Sequence, residues 1–303
     1  MLMKAIDSYL SVRRAAGFEL EVPEYLLHSF GRYAEQHGET HVSAQTTIQW
    51  AAQAPSVGQR RKRLNTIIRF ARHIRAEDQH HELPPLGLFG PKPPRRIPFI
   101  YTPFDIQRLV QTAYQLGPAN SLRPYTYATL FSLLSATGIR ISEALSLRLD
   151  NVEEDGLVIQ QTKFKKSRLV PLHATASAGL KRYLDLRTRV ATDDDHVFVS
   201  LQGRLLSYRY VNEVFTHLIK QIGLDSLGRR PRIHDIRHTF AVRVLESCRT
   251  KNRDAIDRNM LALATYLGHA HVADTYWYLE ATPQLMTDIA QTCEDFFRGR
   301  NES

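Results

Sequence analysis

Apolar residues recur at helical spacing through most of the chain. Ile6, Tyr9, Leu10 and Arg13 fall three and four apart, and Tyr25, Leu26, Phe30 and Tyr33 repeat the interval after Pro23, a residue suited to a first helical turn. Between positions 60 and 75, Leu64, Ile67, Ile68, Ala71 and Ile74 form one stripe. Arg60, Arg61, Lys62, Arg63, Arg69, Arg72 and Arg75 occupy the remaining surface, with no acidic residue among them. Residues 1–85 are predicted to form a four-helix domain whose last helix offers a cationic face suited to a phosphate backbone. Prolines then crowd the chain between His80 and Pro98. Each fixes φ and removes a backbone donor, so an interdomain linker is predicted over 86–99, carrying the cations Lys92, Arg95 and Arg96.

Beyond residue 100 the pattern is mixed but mostly helical. Helices are predicted over 104–116 and 124–135, the second closed by Thr137-Gly138, and again over 208–222, 235–246, 253–267 and 283–297. Residues 157–160 and 169–172 read as two strands of an antiparallel hairpin joined by the basic stretch 161–168, with 197–199 as a third short strand. The fold class is therefore mainly α: an N-terminal four-helix domain, then a mixed, mostly helical domain over 100–303 with a small antiparallel β-hairpin or sheet.

A chain of 303 residues is long enough for about two domains with their own cores. Forty Lys and Arg against 31 Asp and Glu leave a net charge of +9, which points to a polyanionic partner, nucleic acid first. The 43% hydrophobic and 23% charged content is that of an ordinary globular protein and excludes wholesale disorder. Cys248 and Cys293 are too few for a disulfide framework or a four-cysteine zinc site. With no signal-peptide pattern and no apolar run near the roughly 18 residues of a membrane helix, a cytoplasmic protein without membrane attachment is expected.

Four stretches carry candidate chemistry. In Thr137-Gly138-Ile139-Arg140-Ile141-Ser142-Glu143, Gly138 suits a left-handed helix end, Ser142 is placed to cap the next helix, and Arg140 sits on the corner between, preorganised to clamp a phosphate. Thr162-Lys163-Phe164-Lys165-Lys166-Ser167-Arg168 puts four cations at a hairpin tip, where the surface is their expected place. His234-Asp235-Ile236-Arg237-His238 opens a helix. Its two histidines lie four apart, but Asp235 replaces the glutamate of the zinc-protease pattern and Arg237 opposes a divalent metal, so an anion fits better. Leu267-Gly268-His269 is followed by Tyr276 and Tyr278. Taken together, these supply phosphodiester transesterification without metal or ATP: guanidinium forks for the transition-state charge, a lysine to protonate the leaving oxygen, histidines for proton transfer, and a phenol to attack.

In this chain order the motifs resemble those of the tyrosine recombinases, the phage-integrase family. The resemblance covers roughly residues 100–295, and the N-terminal helices are similar in size and placement to that family's core-binding domain. It implies a two-domain, C-shaped clamp on DNA and assigns catalytic roles to Arg140, Lys163, His234, Arg237, His269 and Tyr278, the last as nucleophile. Tyr276, two residues before Tyr278, would face away from it on a helix, so only one of the two can address the phosphate. Lys165 and Lys166 lie close enough to Lys163 to substitute for it. His238, His271 and Glu143 take structural places. The implied reaction is strand cleavage through a 3′-phosphotyrosyl link with no cofactor and no metal, on a double-stranded recombination site within a homotetramer. The apolar stripe Leu285, Met286, Ile289, Cys293, Phe296 and Phe297 is available for docking on a neighbouring subunit. Arg60, Arg61, Lys62, Arg63, Arg69, Arg72, Lys165 and Lys166 are the candidate DNA contacts. A type IB topoisomerase-like activity and a non-catalytic DNA-binding accessory protein are the alternatives.

Overall fold

The computed structural model describes residues 1–94, 96–162, 166–190, 192–226, 228–247 and 253–268, with the side chains at 161, 162, 166 and 253–257 excepted. Lys163, Lys165, the Lys166 side chain, His269, Tyr276, Tyr278 and the stripe at 285–297 lie outside the described residues. The chain divides into two compact units, Met1–Arg95 and Arg96–Ser303.

The first unit holds four helices, α1 (Leu2–Ala15), α2 (Glu21–Gln36), α3 (Ala44–Ala52) and α4 (Val57–Ile74). Serines start the last two: Ser43 accepts from the Thr46 N–H and Ser56 from the Gln59 N–H, each at 3.3 Å. The α4 stripe is buried as its spacing predicts, and Phe70 joins it, packing edge-on against Tyr9 of α1. Leu27, Phe30, Ala34, Trp50 and Ala51 belong to the same core, with Leu2, Ile6 and Leu10 from α1. Tyr25 departs from its predicted stripe: it is 66% exposed, because Leu26 and Leu27 turn α2 so that the following face meets the core. The proline-rich stretch after His80 has neither helix nor strand among its described residues. Phe89 nevertheless packs on this core, and Arg61 donates to the Pro91 carbonyl at 2.7 Å.

The second unit is built around α6 (Leu122–Thr137), apolar on every side and packed among α5 (Pro103–Ala113), α8 (Ala174–Arg187) and α10 (Ile233–Ser247). Thr102 and Asp105 form a capping box that starts α5, with Pro103 at its first position. Among the described residues the remaining α-helices are α7 (Ile141–Leu145), α9 (Tyr208–Gln221) and α11 (Arg253–Leu267). The helix α8 escaped the sequence pattern, because its core contacts reduce to Leu180, Tyr183 and Arg187 among small and polar residues. A three-stranded antiparallel sheet runs β1 (Val152–Glu153), β2 (Gly156–Thr162), β3 (Lys166–Pro171). The third strand is thus β1 and not 197–199. Val197, Phe198 and Val199 are buried, but the Val197 N–H goes to the Leu147 carbonyl, and only isolated bridges form there. In β2 and β3, Leu157 pairs with Val170 and Ile159 with Arg168, so these four side chains share the core-facing side of the sheet.

Candidate active site

Three consecutive carbonyls at the C-terminal end of α11 are each held by an arginine from a different element. Arg168 of β3 donates from Nε to the Tyr266 carbonyl at 2.9 Å, Arg237 of α10 from Nη2 to that of Leu267 at 2.6 Å, and Arg140 from Nη2 to that of Gly268 at 3.0 Å. The last carbonyls of a helix lack intrahelical partners and carry the negative end of its dipole, so cations are favoured there. Arg237 also donates from Nη1 to the Gly138 carbonyl at 2.8 Å, two residues before Arg140. The two predicted clamp arginines are therefore tied to neighbouring peptides at both places.

Glu143 joins the group from below. It accepts from the Arg140 N–H at 2.8 Å, from Arg140 Nη1 at 2.7 Å, and from Arg168 Nη1 and Nη2 at 3.1 and 2.8 Å. Burial alone would push this carboxyl up; hydrogen bonds from the Arg168 side chain and the Arg140 backbone, with the Arg168 charge, hold it below its ordinary value. Arg140, not Ser142, is the residue before the first turn of α7. Ser142 lies inside the helix and is exposed, and the capping interaction runs from the Arg140 N–H to Glu143.

Two glycines make the approach possible. Gly138 ends α6 at φ +62°, and a Cβ there would lie 2.3 Å from the Phe240 ring; Gly268 has φ +66°, and its Cβ would lie 3.0 Å from Arg168 Nη1.

His234 is the second residue of α10, with its ring 4.7 Å from that of His238 and nearly perpendicular to it. Its ring meets solvent, yet the protein packed around it, and then the Arg237 charge, lower its pKa from the usual 6.5, against an opposing pull from Asp235. A neutral imidazole near pH 7 can accept a proton. Asp235 is fully buried and committed to Arg232, accepting from its N–H at 2.9 Å and from Nη2 at 2.7 Å, so it is turned to starting the helix and not to metal. His238 is buried in the packing of α10, in keeping with a structural place.

Of the predicted catalytic set, the structure brings Arg140, Arg237 and His234 together. Lys163, His269 and Tyr278 lie outside the described residues. Arg168 was missed by the sequence pattern, which set it on the surface with the hairpin cations; its side chain is 13% exposed. The signal was present: in a strand, Arg168 must share a face with Val170, and Val170 is fully buried. The candidate DNA contacts divide as well. Arg60 donates to the Ala54 carbonyl at 2.7 Å, just past α3, and Arg63 to that of Trp50 at 3.0 Å, in its last turn, while Lys62, Arg69 and Arg72 are exposed.

Comparison with known proteins gives the family. Residues 100–284 match the Phage integrase family. The chain is 38% identical over 306 residues, 96% of each sequence, to y4rB of Sinorhizobium fredii (strain NBRC 101917 / NGR234), a protein named among integrases/recombinases. Among solved structures, XerH recombinase bound to palindromic difH substrate in a post-cleavage complex aligns with TM-score 0.65 at 16% identity, covering 90% of this chain and 78% of that one. A lambda integrase tetramer bound to a Holliday junction aligns with TM-score 0.60 at 17% identity, covering 89% and 77%. At such identities these two likenesses establish the fold alone. Among the described residues no helix is long and apolar enough to cross a membrane. The family match over most of the second unit, and a relative alike along nearly its whole length, agree: this chain belongs to the phage integrase family of site-specific tyrosine recombinases, enzymes that break and rejoin DNA.

Proposed function

We propose that the three-arginine cage is the phosphate-activating half of the recombinase active site. Arg140 and Arg237 stabilise the charge that builds on the scissile phosphate, and neutral His234 takes part in moving the proton of the attacking phenol. Tyr278 is the nucleophile. Its oxygen attacks phosphorus, the 5′ oxygen of the cleaved strand leaves with a proton from Lys163, and a 3′-phosphotyrosyl link remains, with His269 beside it. A 5′ hydroxyl from a partner strand then attacks that link and releases Tyr278. One phosphodiester replaces another at each step, so no external energy source enters the balance. The observation that carries this reading is the anchoring of the carbonyls of residues 266, 267 and 268 by Arg168, Arg237 and Arg140, immediately before His269 in the chain.

The first unit is proposed to hold duplex DNA through Lys62, Arg69 and Arg72 of α4, aided by Arg61 and the hairpin lysines Lys165 and Lys166. The working assembly is a homotetramer on two recombination sites in the cytoplasm, supported by the fold shared with a lambda integrase tetramer on a Holliday junction. A nicked suicide duplex carrying the ends of the host element tests the assignment. A denaturation-resistant adduct is expected from wild type and from Tyr276→Phe and is lost in Tyr278→Phe; an adduct that survives Tyr278→Phe refutes the nucleophile.

A further inference from the structure

A second cluster of chemistry-bearing side chains lies in the first unit. His41 Nε2 lies 3.1 Å from Asp78 Oδ2 and His80 Nδ1 lies 2.7 Å from Asp78 Oδ1, and one ligand atom from each residue falls within 4.8 Å of the others. The three come from two stretches far apart in sequence: the turn between α2 and α3, and the exit from α4. Those stretches are already tied together. The Val42 N–H donates to His81 Nδ1 at 2.9 Å, the Glu82 N–H to the Val42 carbonyl at 2.8 Å, and the Ala44 N–H to the Glu82 carboxylate at 2.7 Å.

We propose that His41, Asp78 and His80 form a zinc-type divalent metal site that clamps the α2–α3 turn onto the exit of α4. Two imidazoles and one carboxylate are a donor set for zinc and its neighbours in the transition series, and a poor one for magnesium or calcium, which take oxygen ligands. Thr40 Oγ1 lies 2.9 Å from His41 Nδ1 and occupies it, leaving Nε2 for the metal. Ligands about 2.1 Å from a tetrahedral ion stand about 3.4 Å from one another, so the His41–Asp78 pair at 3.1 Å and the His80–Asp78 pair at 2.7 Å open on binding, by less than about 1 Å each. The His80 side chain is 85% exposed, and a water can take the fourth position. His81 is an outer partner and not a ligand. Its Nδ1 lone pair accepts the Val42 N–H, so the neutral ring carries its proton on Nε2, 3.9 Å from Asp78 Oδ2. Because the hydrogen bonds of Val42, Ala44 and Glu82 hold the ligand-bearing stretches in place, ordering costs on binding are small.

The test uses the full chain, stripped with chelator and titrated with zinc chloride by calorimetry, beside hydrogen exchange of peptides spanning residues 37–44 and 75–82. Zinc can bind histidines and cysteines elsewhere, so the readout is the difference between wild type and variants. His80→Gln and His41→Gln are expected to lose one zinc per chain or to weaken that site at least tenfold, and zinc is expected to slow exchange in both peptides of wild type only. Equal zinc stoichiometry and affinity in wild type and both variants, or equal protection of His80→Gln, overturns the site. Equal protection of wild type by magnesium overturns the zinc assignment. His80→Gln keeps the test sound, since the ring is 85% exposed and its hydrogen bond and ring contact run to Asp78 and His41, the other two members of the site.

Discussion

Glu143→Gln removes the one anion between Arg140 and Arg168 while keeping the volume of the side chain. The wild-type carboxylate is 9% exposed and accepts four hydrogen bonds of 2.7–3.1 Å; Arg168 is 13% exposed and Arg140 29%. Breaking a buried pair leaves an uncompensated charge and costs about 3–5 kcal/mol. The more open Arg140 recovers some hydration, so the lower end, about 3 kcal/mol, is expected for the second unit. Urea unfolding by circular dichroism gives the total, and hydrogen exchange in α7 and β3 peptides assigns it to this unit, since two units can unfold separately. A loss below about 1 kcal/mol, the range of surface ion pairs, would refute the reasoning. Arg168→Met supplies the control: the double variant should lose less than the sum of the single ones by about 1 kcal/mol or more, because removing both charges leaves none unpaired. The pH dependence follows from the same linkage. The folded-state pKa of Glu143 lies below its ordinary 4.5, so its contribution is complete above that pH and is lost as pH falls through the folded value; the Gln variant should lack this acid limb.

Alanine at Gly138 meets both a left-handed backbone at φ +62° and the Phe240 ring 2.3 Å from its Cβ; strain of about 1–2 kcal/mol and overpacking of about 1–3 kcal/mol should lower the melting temperature by several degrees, and a melt within one degree of wild type would contradict the close approach. Gly268→Ala carries the same backbone strain but meets only the tip of Arg168, so strand cleavage should fall more than stability does, as adduct yield against calorimetry will show. Replacing Lys62, Arg69 and Arg72 by alanine should flatten the log–log salt dependence of DNA binding by about 0.9 for each phosphate that is no longer neutralised. Arg60→Ala and Arg63→Ala should instead cost about 1 kcal/mol of stability each at unchanged salt slope, and an equal flattening would erase the division drawn between these residues.

Helical periodicity made the first unit legible, because a stripe at intervals of three and four has one stable use, and Leu64, Ile67, Ile68, Ala71 and Ile74 are all buried. Local backbone chemistry did the same for Gly138, whose left-handed conformation closes α6. Arg140, His234 and Arg237 could be singled out from motif order alone, since each motif binds its residue to a local corner or helix start. What periodicity cannot carry is partnership across distance. Glu143 looked like one carboxylate on a short helix until β3 brought Arg168 against it. That pairing depends on which face of the sheet meets the core, fixed only when Ile159 and Arg168 become cross-strand neighbours. Arg60 and Arg63 looked equivalent to Lys62 and Arg69, because the order of charges along a helix does not say which of them lie beside the carbonyls at the C-terminal end of α3. His41 is 37 residues from Asp78, and no local pattern joins them; the packing of α3 and α4 does. Sequence by itself determined most of the described elements, α8 and the third strand excepted, and the type of chemistry, because these live in short-range spacing. Tertiary structure decided which charges are committed to holding the fold and the site together and which remain exposed, because a charge's role is set by the partners and the solvent that the folded chain leaves it.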